Sequence, residues 1–431
     1  MKRSFVVASV SAVAIFCCAW QALSQTVKPV KIVRPRTVAA ATTQQTTTQD
    51  PPPAQPAAEP LKTRETKKAA PEPASTSLTT VESGNVSATA FTPATIQSRI
   101  SEAKRLFKTR PMPTAMTSPS MMSVNIAALD RQTSQIHIVP MAKQTFLKKG
   151  SELTMISSLG EPLTIRVLRA NGVNTALTVF TQDGRSLAPL VVEFPIEKGG
   201  KFTELAYYTS AHPALLSRDL VVSGQSYVRN MLDLAAKRLR DKGVFVSKEL
   251  VDIAERLCVV EHVDHHRFRT EDRLAVYNEI YSLYALNQLD TYRYSVSWAG
   301  AGGMVQMIPW AYNLERRRHP GVGLHPDFVT GMRNHSNALQ AMLLYMRDTW
   351  NDLAANDEVR YALNSKTATM PELMAAGYNS NAAKLPGYLK RGGQDWRVLI
   401  PRETQMYLQI YKSFEALVPI KHRPEVIAET N

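Results

Sequence analysis

The chain has 431 residues, a net charge of +14 and 44% hydrophobic residues. That is long enough for two or three domains and apolar enough for a sizeable core, which excludes a wholly disordered polymer. The basic balance points to an acidic partner, namely nucleic acid, an anionic membrane surface or an anionic wall polymer.

Residues 1–25 read as a secretory signal. Lys2 and Arg3 form its charged start, Phe5 to Trp20 its apolar run, and Ala22-Leu23-Ser24 the small residues at the cleavage position. The run is short for a bilayer span, so no stable membrane span is expected after the signal is removed. Export makes nucleic acid a poor partner and places the mature, still basic chain in a periplasm or cell wall. Cys17 and Cys18 leave with the signal, and Cys258 remains as a lone thiol in an apolar helical pattern. Residues 26–93 are rich in Thr, Ala, Pro and Gln around Pro51-Pro52-Pro53. Large apolar side chains are too sparse there to offset the entropy of ordering, so this is expected to be a disordered linker.

From Ala94 to Thr109, Ile96, Ile100, Ala103 and Phe107 fall on one face of a short helix. This helix and its connector, 94–119, are expected to pack on the domain that follows. Between 120 and 205 the period changes to that of strands. The runs are Ile136–Val139, Leu163–Val167, Ala176–Phe180 and Leu190–Phe194, with Asp183-Gly184 as a hairpin turn. These runs predict a small β domain whose chemistry is not legible.

Residues 206–425 are expected to be helical. Apolar positions from Val228 to Leu239 predict a helix stopped by Gly243, and Ser247 makes an N-cap for the next. In that next helix Leu250, Ala254 and Leu257 form a stripe whose next position holds Glu261. A carboxyl on an apolar stripe is driven toward its protonated form by burial, which suits a general acid. Glu279 is the alternative acid, and Asp264 and Asp290 are candidate second carboxylates. His262 and His266 stand one turn apart but lack a third ligand and an intervening glutamate, so neither metal nor cofactor is expected.

The stretch Ser297-Trp-Ala-Gly-Ala-Gly-Gly-Met-Val-Gln-Met-Ile-Pro309 is too glycine-rich for a helix interior and too apolar for a solvated loop. A groove floor offering backbone groups and the amide of Gln306 fits it, as does a tight interhelical turn. Asn337–Trp350 reads as a core helix. Ala376-Gly377-Tyr378-Asn379 and Glu403-Thr404-x-x-Tyr407 follow.

In this order, Ser-x-Ala-Gly-Ala-x-Gly, Gly-Tyr-Asn and Glu-Thr-x-x-Tyr resemble the motifs of the soluble lytic transglycosylases, lysozyme-like enzymes that cleave peptidoglycan. The resemblance covers Lys248 to about Phe414. It departs in having Val305 before Gln306, His262 after Glu261, and a long insertion, Asp264–Tyr294, before Ser297. It implies a C-terminal all-α lysozyme-like domain, which with the β domain read before it makes the expected fold an α+β multidomain chain. It further implies glycan strands as substrate, Glu261 as the acid, and Ser297, Gly303, Met304, Gln306, Tyr378 and Asn379 as substrate-binding residues. A wall-binding protein that kept the fold without catalysis is the alternative.

Overall fold

The computed structural model describes residues 91–109, 121–297 and 299–424. The expected signal, nearly all of the linker and all of the 110–119 connector lie outside them. The first element of the described residues is α1 (Pro93–Thr109), and all four residues of its predicted apolar face are buried. Seven strands follow, β1 (Ser123–Leu129), β2 (Ile136–Ala142), β3 (Glu152–Ile156), β4 (Pro162–Arg169), β5 (Ala176–Thr181), β6 (Ser186–Lys198) and β7 (Lys201–Tyr208), with the short α2 (Lys143–Phe146) after β2. They form one antiparallel sheet in the order β2-β1-β6-β5-β4-β3, and β7 also pairs with β6. The sheet curls towards closure, because the backbone of Ile138 in β2 exchanges hydrogen bonds with Ser158 just beyond β3.

Asp183-Gly184 makes the expected hairpin turn from β5 to β6, with Gly184 at φ +84°. The sheet interior holds Val124, Ile126, Val139, Leu163, Ile165, Val179 and Val192. Its other face, through Ala127, Leu129, Leu190 and Val191, packs on α1.

The elements that follow β7 among the described residues are helices. They begin with α3 (Arg218–Asp241), α4 (Lys248–Val260), α5 (His265–Thr270), α6 (Arg273–Asn287), α7 (Pro309–Arg318), α8 (Phe328–Arg333) and α9 (His335–Ala354). They end with α10 (Asp357–Asn364), α11 (Met370–Asn379), α12 (Leu385–Gly392), α13 (Trp396–Leu399) and α14 (Arg402–Leu417). Among the described residues no helix is long and apolar enough to cross a membrane.

The helix at the centre of this region is α4. Ser247 caps it by accepting from the Leu250 amide, and every residue from Leu250 to Val260 is buried. A helix apolar nearly all round must be enclosed, and α3, α6, α9, α11 and α14 surround it. Its three charged residues in that span are paired. Asp252 and Glu255 meet Arg423 at 2.6 and 2.7 Å, and Arg256 meets Glu415 at 3.3 Å. Cys258 is packed among them as a buried thiol.

The segment Asp264–Tyr294, long for the resembled family, is part of the core. Its main helix, α6, is built into the core through Val276, Tyr277, Ile280, Tyr281 and Tyr284, and it packs along α3. It also fastens the sheet to the helices. The side chain of Asn287 exchanges hydrogen bonds with the backbone of Thr209 at 2.9 and 2.8 Å. Gln97 of α1 donates to the carbonyls of Ala285 and Leu286 at the end of α6.

Candidate active site

Glu261 is the C-cap of α4, directly after the buried span. The stripe that points to it, Leu250, Ala254 and Leu257, is fully packed. Where the helix ends, the same face opens into a cleft of roughly 890 Å³. Glu261 is half-buried in the cleft wall. The hydroxyl of Tyr407, from α14, donates to its Oε1 at 2.5 Å. Burial pushes the Glu261 carboxyl up to about 8. The Tyr407 hydrogen bond favours the carboxylate and opposes that rise, and the negative charge of Glu403 adds to it. Burial and the neighbouring carboxylate hold the Tyr407 phenol well above its usual value, so it remains a proton donor.

The cleft floor is the glycine-rich segment. Its backbone doubles back through two isolated antiparallel bridges, Val296 with Gly302 and Gly302 with Met307. The double turn needs left-handed backbone at Gly300 (φ +79°) and Gly303 (φ +69°). Gln306 takes φ +46° without being glycine, an unfavourable conformation that marks it as held by its surroundings. Its Nε2 donates to the Gly303 carbonyl at 2.9 Å and lies 3.3 Å from the Ser295 hydroxyl. Ser297 closes the turn, its hydroxyl accepting from the Ala301 amide at 3.1 Å.

Glu261, Ser297, Gln306, Tyr378 and Asn379 all line this one cleft, although 118 sequence positions separate the first from the last. Tyr378 and Asn379 end α11, which starts with a capping box between Thr369 and Glu372 and carries Pro371 in its first turn. The Tyr378 hydroxyl does not reach towards Glu261. It donates to the Val305 carbonyl at 2.7 Å, and its ring meets Tyr345 edge-on. It therefore ties α11 to the glycine segment.

Two residues of the expected set lie behind the cleft and do not line it. Met304 is 0% exposed and belongs to the helical core, and its carbonyl accepts from His262 Nε2 at 3.0 Å. Gly303 is backed against the Met332 carbonyl, where a Cβ would come within 2.6 Å. Both are packing positions. His262 stacks on Tyr292 with ring centroids 3.5 Å apart, and burial lowers it to about 4, so the ring is neutral at physiological pH.

Glu279 is the poorer of the two candidates for the proton donor. Arg267 and Arg169 bracket its carboxylate at 2.8 and 2.5 Å. Burial alone would raise it, but the two guanidiniums hold it below its ordinary value, so it keeps its charge. Asp264 caps α5 through the Arg267 amide, and Asp290 pairs with Arg293 at 3.4 Å. Neither lines the cleft.

The sequence reading also missed two elements of the site. Trp310, 63% exposed, stands in the cleft wall at the start of α7 and offers an aromatic face to a ligand. The other is a second cavity of roughly 690 Å³, which shares Glu261 and Gln306 with the first. Its far wall is the turn Arg169–Asn174 between β4 and β5, so the sheet reaches the candidate acid.

The site can therefore keep a carboxylic acid protonated near neutral pH beside a cleft with polar and aromatic lining. Comparison with family models, with curated proteins and with solved structures returns no match.

Proposed function

We propose that the protein is a peptidoglycan lytic transglycosylase, cutting between N-acetylmuramic acid and N-acetylglucosamine in a lysozyme-like helical domain. The observation that carries this reading is the Glu261 carboxyl, raised to about 8 and opening on the cleft. Glu261 gives its proton to the glycosidic oxygen, and that bond breaks with its electron pair going to the leaving sugar. The resulting carboxylate takes the proton of the muramyl 6-hydroxyl, whose oxygen closes on the anomeric carbon. The product carries a 1,6-anhydro ring, and the acid is restored. One group serves as acid and then base; Asp290 lines neither cavity, and Asp264, which lines the second, is engaged as the cap of α5. Ser297, Gln306 and Asn379 line the sugar path, Tyr378 braces its floor, and Trp310 stacks on a sugar face.

The test is mass analysis of purified sacculi digested with the wild type and with Glu261→Gln. Anhydromuramyl fragments from the wild type and none from the variant are expected. Reducing muramyl ends would make the protein a hydrolase. Binding to sacculi without release of fragments would leave a non-catalytic wall-binding protein. Full activity in Glu261→Gln would remove Glu261 from the chemistry.

A further inference from the structure

A second cluster of titratable groups stands in the helical region, separate from Glu261. Glu315 lies in the last turns of α7, His319 follows one turn later, and Asp348 comes from α9. Glu315 is 0% exposed, and neither of its carboxylate oxygens has a hydrogen-bond partner. A buried carboxylate left in that state is costly unless something else is meant to meet it. His319 Nε2 lies 3.5 Å from Glu315 Oε2 and 2.7 Å from Asp348 Oδ2. One ligand atom from each residue falls within 4.8 Å of the others.

We propose that Glu315, His319 and Asp348 form a binding site for a divalent transition-metal cation, zinc being the best match, that clamps α7 to α9.

The donor set selects the class of metal. An imidazole nitrogen with two carboxylates suits zinc and its neighbours in the first transition row better than calcium or magnesium, which take oxygen alone. At zinc–ligand bonds of about 2.0–2.2 Å, tetrahedral ligand atoms stand roughly 3.4 Å apart. The Glu315–His319 pair already has that separation, and the His319–Asp348 pair needs to open by less than about 1 Å. Three protein ligands leave the fourth position to water.

Two guanidiniums face the cluster. Arg347 holds the outer oxygen of Asp348, Oδ1, at 2.7 Å, leaving Oδ2 directed at the site; its Nη2 also lies 3.5 Å from His319 Nε2. It takes the role of an outer group that orients a ligand. Arg318 stands 3.7 Å from Glu315 and 3.9 Å from Asp348, too far for hydrogen bonds, and its side chain is 45% exposed. The cation displaces it, and it turns towards the cleft that it already lines. Because Trp310, Ala311 and Leu314 of α7 line the same cleft, a bound cation would stiffen that wall.

The test needs no substrate and so stands apart from the proposed activity. Full-length protein is stripped with chelator, dialysed against zinc chloride and analysed for metal content, with affinity measured by calorimetry. One zinc per chain is expected, with a melting temperature that climbs with zinc concentration. Glu315→Gln and His319→Gln should each weaken binding by about 100-fold or more. Arg318→Ala should tighten binding, because it removes the competing cation. A wild type that retains no zinc overturns the proposal, as does zinc binding unchanged in both ligand variants. Should those variants fail to fold, cobalt(II) added to the wild type decides. Visible absorption of a four-coordinate site is expected, and its absence overturns the proposal.

Discussion

The phenol of Tyr407 reaches across from α14 to hold Oε1 of Glu261 at 2.5 Å. One carboxylate oxygen is thereby fixed, and the other is left for chemistry. The hydrogen bond also sets the acid's strength, because it stabilises the charged form against the burial that disfavours it. Tyr407→Phe should therefore leave Glu261 a weaker acid still. In the proposed reaction Glu261 must start protonated, so activity falls as pH rises through about 8. The variant's alkaline limb should move up by roughly one pH unit, and its maximal rate should fall about tenfold as the carboxyl loses its anchor. Fragment release from sacculi against pH reads both quantities. An alkaline limb that stays in place would refute the coupling.

The same raised value makes a statement about stability. The folded protein holds the Glu261 proton up to about 8, whereas an unfolded glutamate releases it near 4.5. Between those values the folded state binds more protons, so stability declines as pH rises and levels off above about 8. Glutamine at 261 carries no such proton. Glu261→Gln should therefore gain on the wild type across that window, reaching on the order of 2 kcal/mol once the solvent in the cleft is allowed for. Urea unfolding at pH 5 and pH 8.5 measures the difference. An equal offset at both pH values would mean that the carboxyl is not perturbed.

How much of this was readable beforehand depends on whether a feature is local. The 3.6-residue spacing of Ile96, Ile100, Ala103 and Phe107 foretold a buried helix face, and the Asp183-Gly184 turn foretold its hairpin. Glu261 stood out because it breaks the apolar stripe of its own helix. By contrast, β3 and β7 carry charged and half-exposed residues, and they are strands because a neighbour supplies backbone partners. Tyr407 was part of a recognisable motif, yet its partner lies 146 positions earlier, so its role awaited the packing of α14 on α4. Gly303 and Met304 show the converse. The motif marked them as important, but not which way they face, and both serve the floor from behind. Asp348 likewise joins Glu315 and His319 only where α7 and α9 pack together.

Trp310 separates binding from folding. It follows the helix-starting Pro309, is 63% exposed, and stands in the cleft wall. Little packing is lost when it is shortened, so Trp310→Ala should change stability by less than about 0.5 kcal/mol. If its face stacks on sugar, the variant should bind glycan about tenfold more weakly, with the loss in KM more than in kcat. Binding of soluble glycan fragments by calorimetry, beside a melting curve, checks both parts. Undiminished glycan affinity would take Trp310 out of the sugar path.

Glu279 offers the sharpest contrast with Glu261, because both are glutamates at the second cavity and their surroundings act in opposite directions. Arg169 reaches Glu279 from β4 and Arg267 from α5, so the carboxylate joins the sheet to the helices. Its folded value is lowered. The stability it contributes is therefore present above its unfolded value of about 4.5 and is lost as pH falls through the folded value. Glu279→Gln leaves two guanidiniums facing an amide and should cost about 2–3 kcal/mol at pH 7, less than a fully buried pair because both arginines keep some solvent. The cost should shrink as pH falls through that lowered folded value, where the wild type loses the same charge. Well below its reduced melting temperature the variant should still release anhydromuramyl fragments, whereas Glu261→Gln should release none. A folded Glu279→Gln that is silent, beside an active Glu261→Gln, would exchange the roles of the two acids.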